Sequence, residues 1–203
     1  PMARGKTIRN LVEYDATMNS RNRILNALNH QDGPIPIDFG STLITGIHCS
    51  VVEGLREHYG LEKRPVKICE PYQMLGEIEP DLVDAIGIDT VGLAAPATLF
   101  GFKNENWKEF RAPWGQELLV PEMFKVTKGD NGDLFIYPEG DTSVQPSGHM
   151  PVSGFFFDSI IRQEPIEEDK LDPQDNLQEF QPMSDADLEH YRAEVGFLAD
   201  SDR

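Results

Sequence analysis

Apolar positions recur along this chain in short blocks of two different periods. In residues 21–30, RNRILNALNH, Ile24, Leu25 and Leu28 fall on one helical face; Ser20 offers a cap before them, and Gly33 and Pro34 end the run. Residues 35–39, IPIDF, are a short, partly β-branched block that stops at Gly40 and predicts a buried strand. Residues 48–60, HCSVVEGLREHYG, return to helical spacing through Val51, Val52, Leu55 and Tyr59, with Gly60 as the stop. The order then repeats. Residues 73–86 predict a helix, Gly87 breaks it, and IDTVGLA predicts a second buried strand. Helix, glycine, buried strand is the rhythm of an α/β fold with a parallel sheet, so residues 35–39 and 88–93 are expected to run parallel in one sheet.

From about residue 103 the period shortens. WKEFRAPWGQELLV and FKVTKGDNGDLFIYPEG alternate as strands do, and GDNGD is a hairpin turn signal. Residues 106–138 are therefore expected to form antiparallel hairpins outside the parallel sheet. SGFFFDSII predicts a return to core strand, and DADLEHYRAEVGFLA predicts a last helix, begun by Ser184 with Asp187 three residues on as an imperfect capping box.

Composition narrows the function classes. The 203 residues are 39% hydrophobic, and the formal net charge is −17. A nucleic-acid partner is disfavoured, because phosphate binding needs a basic stripe. Anionic membrane surfaces are disfavoured for the same reason, and no apolar run approaches the roughly 20 residues of a membrane span. Residues 1–17 carry cations without an apolar core and read as an N-terminal extension rather than a secretory signal. Two cysteines make no disulfide framework, which points to a reducing, cytoplasmic setting. Residues 162–203 hold 13 acidic against 4 basic side chains, the pattern of a solvated connection.

Candidate chemistry gathers in GSTLITGIH, behind the first predicted strand, since α/β sheets collect functional groups beyond strand C-termini. Gly40 and Gly46 let backbone approach a ligand, Ser41, Thr42 and Thr45 offer hydroxyls, and His48 opens a helix. The same residues also suit an ordinary strand-to-helix turn. Asp38 and Asp89, each in an apolar run, are costly to bury unless paired, so a structural and a catalytic role are both open. His48 and Cys49 diverge by about 100° on a helix, which argues against joint metal ligation. His149 lies in PSGHMPVSGFFFD, with Asp158 at the far end of that segment. Five histidines and two cysteines without ligand spacing predict no tight zinc site on this chain.

The succession SRNRILNALNHQDGPIPIDFGSTLITGIH, EIEPDLVDAIGIDTVGL, PWGQE and PSGHMPVSGFFFD resembles proteins of the uroporphyrinogen decarboxylase superfamily over roughly residues 18–200. The order of these segments carries the resemblance more than any one of them. It implies the N-terminal portion of a (β/α)8 barrel with an inserted antiparallel hairpin region, spanning residues 18–203. A full barrel typically takes about 250 residues, so further residues or a second chain would complete it, and a bare apolar edge is expected here. The resemblance favours the methyltransferase-like branch over the decarboxylases. The arginine-rich RQAGRY stretch of decarboxylases is replaced by STLITGIH, and Pro96 falls where their F-S-D aspartate would lie. This branch implies methyl transfer between a methyl-corrinoid protein and a thiol or tetrahydrofolate-type acceptor, in corrinoid-dependent demethylation. Asp38, Thr45, Gly46, His48 and His149 would be the substrate-facing residues, with no catalytic residue assigned. Zinc and corrinoid are implied for the complete enzyme, with none held by this segment alone. The implied partners are a corrinoid protein or the missing barrel half, and a small-molecule substrate; a homo-oligomer is compatible with this. Porphyrinogen decarboxylation and a non-catalytic binding module are the alternatives.

Overall fold

The computed structural model describes residues 18–98, 101–162, 164–174 and 182–199. The extension expected over residues 1–17 and part of the acidic segment lie outside the described residues. Helix α1 is Ser20–Leu28, and its cap is Asn19 rather than Ser20: the Asn19 side chain accepts the Asn22 N–H at 2.9 Å. Ser20 is instead buried with Arg23, while Leu25 and Leu28 are exposed, so the helix turns a polar face inward. Helix α2, Cys49–His58, is capped by His48 and buries Cys49, Val52 and Arg56 at helical spacing.

Strand β1 is Val66–Glu70, and β2 is Leu75–Gly76. Helix α3, Pro80–Ile86, starts with proline in its first turn and Asp81 near its positive end, and stops at Gly87 in the left-handed conformation (φ 80°). Strands β3, Lys108–Arg111, and β4, Glu117–Val120, form a hairpin. Strands β5, Val126–Lys128, and β6, Leu134–Ile136, form another across the GDNGD turn. Strands β7, Gly148–Met150, and β8, Asp158–Ser159, extend it. Helix α4 is Asp185–Leu198, capped by Ser184, whose hydroxyl accepts the Asp187 N–H at 3.1 Å. No helix among the described residues is long and apolar enough to cross a membrane.

The described residues form two four-stranded sheets, ordered β2-β1-β4-β3 and β5-β6-β7-β8. Among the described residues only β1 and β4 pair in parallel, Val66 opposite Leu118. One apolar cluster spans both sheets, joining Ile68, Leu118 and Val120 of the first to Ile136 and Met150 of the second. Burial of such side chains, at about 25 cal/mol per Å² of apolar surface, is what holds the sheets together.

The expected portion of a (β/α)8 barrel is not what the chain builds. Residues 35–39 and 88–93 lie side by side, with Asp89 N–H donating to Ile37 O at 2.8 Å, but neither is a strand. The reason is visible in the residues. Pro34 and Pro36 have no N–H to give to a ladder, and the Ile37 N–H is taken by the Asp89 side chain at 2.8 Å. Ile35 is 85% exposed, so the segment is not a buried strand. Nor do all the hairpins lie outside the main sheet, because β4 pairs directly with β1. The segment 73–86 is helical only in its second half, and Phe155 and Phe156, expected in a core strand, are half exposed. The expected bare apolar edge is not what strand β3 presents. It ends its sheet with Lys108, Glu109 and Arg111, charges that discourage pairing with another chain.

Candidate functional site

Strand β1 alternates in burial: Val66, Ile68 and Glu70 face the core, whereas Lys67 and Cys69 point the other way. On that second face lies a cavity of about 650 Å³. Its floor includes Lys67 and Cys69 of β1 and Glu77 just beyond β2; Trp107 lines it too. Two loops, residues 39–46 and 90–98, form its walls with apolar side chains such as Leu43 and Val91, and Ile78 adds to them from beside Glu77. An enclosure that is mostly apolar with a few polar groups is what small-molecule sites present.

The two loops are held by Asp38 and by close backbone contact. Ser41 Oγ donates to Asp38 Oδ1 at 2.5 Å, Thr90 Oγ1 to the same oxygen at 2.8 Å, and Thr45 Oγ1 reaches it at 3.4 Å. The Ser41 hydroxyl bond, against a smaller opposing cost of burial and with help from Thr90, holds the Asp38 carboxyl below the usual carboxylate range. Asp38 is thus the knot between both walls rather than a residue of the lining. Gly40, with φ 80°, turns the first loop in a conformation that side chains other than glycine's resist.

Because the folded-state pKa of Asp38 is depressed, its contribution is fully present above the unfolded value near 4 and is lost as pH falls through the folded one. The loop contact Thr90–Asp38 is expected to loosen only below about pH 4. Comparing the Thr90 resonances of wild type and Asp38→Asn across an acid titration checks this; a wild-type transition near pH 7 would contradict it.

Of the five residues singled out from the sequence, the structure brings only Gly46 to the cavity wall, with Asp38 and Thr45 bracing the loop from behind. A Cβ on Gly46 would lie 2.7 Å from Leu75 Cδ1, so this glycine serves the loop's own packing. His48 caps α2, its Nδ1 accepting the Ser50 N–H at 3.2 Å while Nε2 donates to Phe155 O at 2.9 Å. Its ring packs against Trp114 and Phe155. Both ring nitrogens are engaged, and His48 does not line the cavity. His149 lies in the other sheet, bonded to Asp133 Oδ2 at 2.8 Å and stacked near Phe135. The His149 hydrogen bond, followed by that of Asn131, holds Asp133 below the ordinary carboxylate range.

Asp89, whose role the sequence left open, is fully buried and structural. Arg23 grips it through Nε at 2.8 Å and through a second nitrogen, and the carboxylate also accepts the Ile37 N–H. Burial alone would raise its pKa; the Arg23 and backbone hydrogen bonds outweigh that, and the net direction is down. The residues that sequence reasoning missed are Arg23, Lys67, Glu77 and Trp107. Lys67 and Glu77 carry no motif, and the β1–β2 pairing alone brings them together.

The zinc and thiolate chemistry implied by the family resemblance does not fit the residues described. No group of three or more His, Cys, Asp or Glu side chains gathers to hold a metal ion among the described residues. Burial pushes the Cys49 thiol up to about 12, and burial with help from Glu77 does the same to Cys69. Neither is a thiolate near neutral pH, so neither is poised as a ligand or nucleophile. No protein-family model matches the chain, and no curated protein or solved structure is significantly similar to it.

Proposed function

We propose that the chain serves methyl transfer between a methyl-corrinoid protein and a thiol or tetrahydrofolate-type acceptor, its own part being to hold the small-molecule substrate. The order of sequence segments supports the class of chemistry. The observation that carries the holding role is the cavity of about 650 Å³ behind residues 39–46. Substrate held there gains rate by proximity and orientation, without a nucleophile from this chain. Activation of the thiol is assigned to no residue described here.

Porphyrinogen decarboxylation finds less support. Among the described residues lining the cavity, Lys67 is the sole cation, and it is already paired with Glu77 at 3.4 Å. A tetrapyrrole with eight carboxylates would meet no arginine there. A binding module without chemistry of its own is the second reading, favoured by the two thiols held protonated by burial.

Incubating the purified chain with methylcobalamin and a small thiol, in parallel with uroporphyrinogen, separates the three. Methyl transfer about tenfold or more above the thiol alone supports the proposal. Loss of carboxylates from the porphyrinogen would replace it with the decarboxylase, and inactivity in both reactions with the binding module.

A further inference from the structure

The polar end of the cavity carries both signs of charge on one small area. Lys67 Nζ lies 3.4 Å from Glu77 Oε2, with the two side chains 33% and 39% exposed. The same ammonium sits 5.7 Å from the centre of the Trp107 ring. All three side chains line the cavity, and Ile78, Val83 and Leu93 supply apolar surface.

An ion pair this exposed is weak, so its partners are readily exchanged for those of a ligand. The exchange has a sign constraint. An anionic ligand that takes Lys67 leaves Glu77 unpaired beside a second negative charge. A cationic ligand that takes Glu77 leaves Lys67 in the same difficulty. A ligand bearing both charges gives each side chain a new partner and leaves neither without one. As Lys67 turns to the ligand's carboxylate, the ligand's cationic group would take its place beside the Trp107 indole, the best aromatic surface for a cation. Neutral apolar ligands, in contrast, would bury the existing pair without replacing any of its water.

We infer that the substrate class of this cavity is a small zwitterion with an apolar arm, its carboxylate on Lys67 and its ammonium between Glu77 and Trp107. The inference rests on the proposed role of the cavity in holding a small-molecule substrate, and it adds the charge pattern that substrate must have. Neither Lys67 nor Glu77 contributes to the apolar core, so both can be changed without removing packing there.

The test uses four probes of one shape: L-phenylalanine as zwitterion, hydrocinnamate as anion, phenethylamine as cation and phenethyl alcohol as neutral control. Each is titrated into the chain by calorimetry, with the Trp107 indole resonance reporting the place of binding. L-Phenylalanine is expected to bind about tenfold or more tightly than any other probe. Lys67→Met should abolish its advantage over phenethylamine, and Glu77→Gln its advantage over hydrocinnamate. If phenethyl alcohol binds at the Trp107 end as tightly as the zwitterion, the cavity remains a small-molecule site and the inference falls alone. Retention of the full advantage by both variants also overturns it. If no probe binds, the inference falls together with the holding role; the methylcobalamin assay then decides separately whether the chemistry survives.

Discussion

Asp89→Ala is expected to lower the stability of the chain by about 3–5 kcal/mol, the cost of breaking a buried ion pair by removing one partner. Asp89 is fully buried and Arg23 nearly so. Loss of the carboxylate leaves the Arg23 guanidinium without its counter-charge in a poorly solvated place and deprives the Ile37 N–H of its acceptor. Urea unfolding of the two proteins measures the difference. Glu77→Gln, at a part-exposed pair, serves as the comparison and should shift stability by no more than about 1 kcal/mol. The pH dependence carries a second signature. The folded-state pKa of Asp89 is depressed, so its contribution is present above the unfolded value near 4 and disappears as pH falls through the folded one. The acid limb of the stability profile should therefore flatten in the variant. A loss below about 1 kcal/mol, with the acid limb unchanged, would show that Arg23 and Asp89 do not form the pair described.

Gly92→Val is expected to have the largest effect on the cavity itself. A Cβ at Gly92 would lie 1.5 Å from Ser41 O and 2.6 Å from Ser41 C. The obstacle is backbone, so no rotamer change can relieve it, and one loop must move. Ser41 also donates to Asp38, and the displacement would pull on the knot that holds both walls. Overpacking of this kind costs about 1–3 kcal/mol. Ligand binding at the cavity should be lost while the second sheet, which Gly92 does not join, keeps its structure. Titration of the zwitterionic probe, alongside the His149 resonances as a monitor of the second sheet, checks both halves. Unchanged probe affinity in Gly92→Val would mean that these loops do not shape the site.

Local features were legible in the sequence where one residue type dictates one conformation. Ser184 caps α4, Gly87 ends α3 in the left-handed region, and the GDNGD turn joins β5 to β6. The loop 39–46, singled out in the sequence as a candidate site, lines the cavity and contributes a wall rather than reactive groups. What failed was the inference from rhythm to topology. An apolar block with one proline inside it and another just before it reads as a strand by hydrophobicity, yet it lacks the donors that a ladder requires. Strand β1 was hidden for the opposite reason. Glu70 occupies one of its core-facing positions, buried and accepting the Tyr72 and Gln73 N–H groups at 3.0 and 2.7 Å, so the alternation does not look apolar. Arg23 was likewise masked by the leucines beside it, which the helix leaves exposed. The polar end of the cavity could not be read at all from spacing, because Trp107 lies far along the chain from Lys67.

The parallel pairing of β1 with β4 bears on how quickly the chain reaches this structure. Val66 meets Leu118 from about fifty residues away, whereas the β3–β4 and β5–β6 hairpins close over short turns. Closing a long loop costs entropy before its contacts return anything, so distant parallel pairing is a slow event and short hairpins are fast ones. The hairpins should therefore zip first, leaving β4 with an open side until β1 arrives. During that interval Leu118 and Val120, both core residues, have no covering strand on that side. A newly made chain is thus most exposed to wrong partners along β4, and conditions that delay the docking of β1 should cost yield even where the finished fold is unaffected.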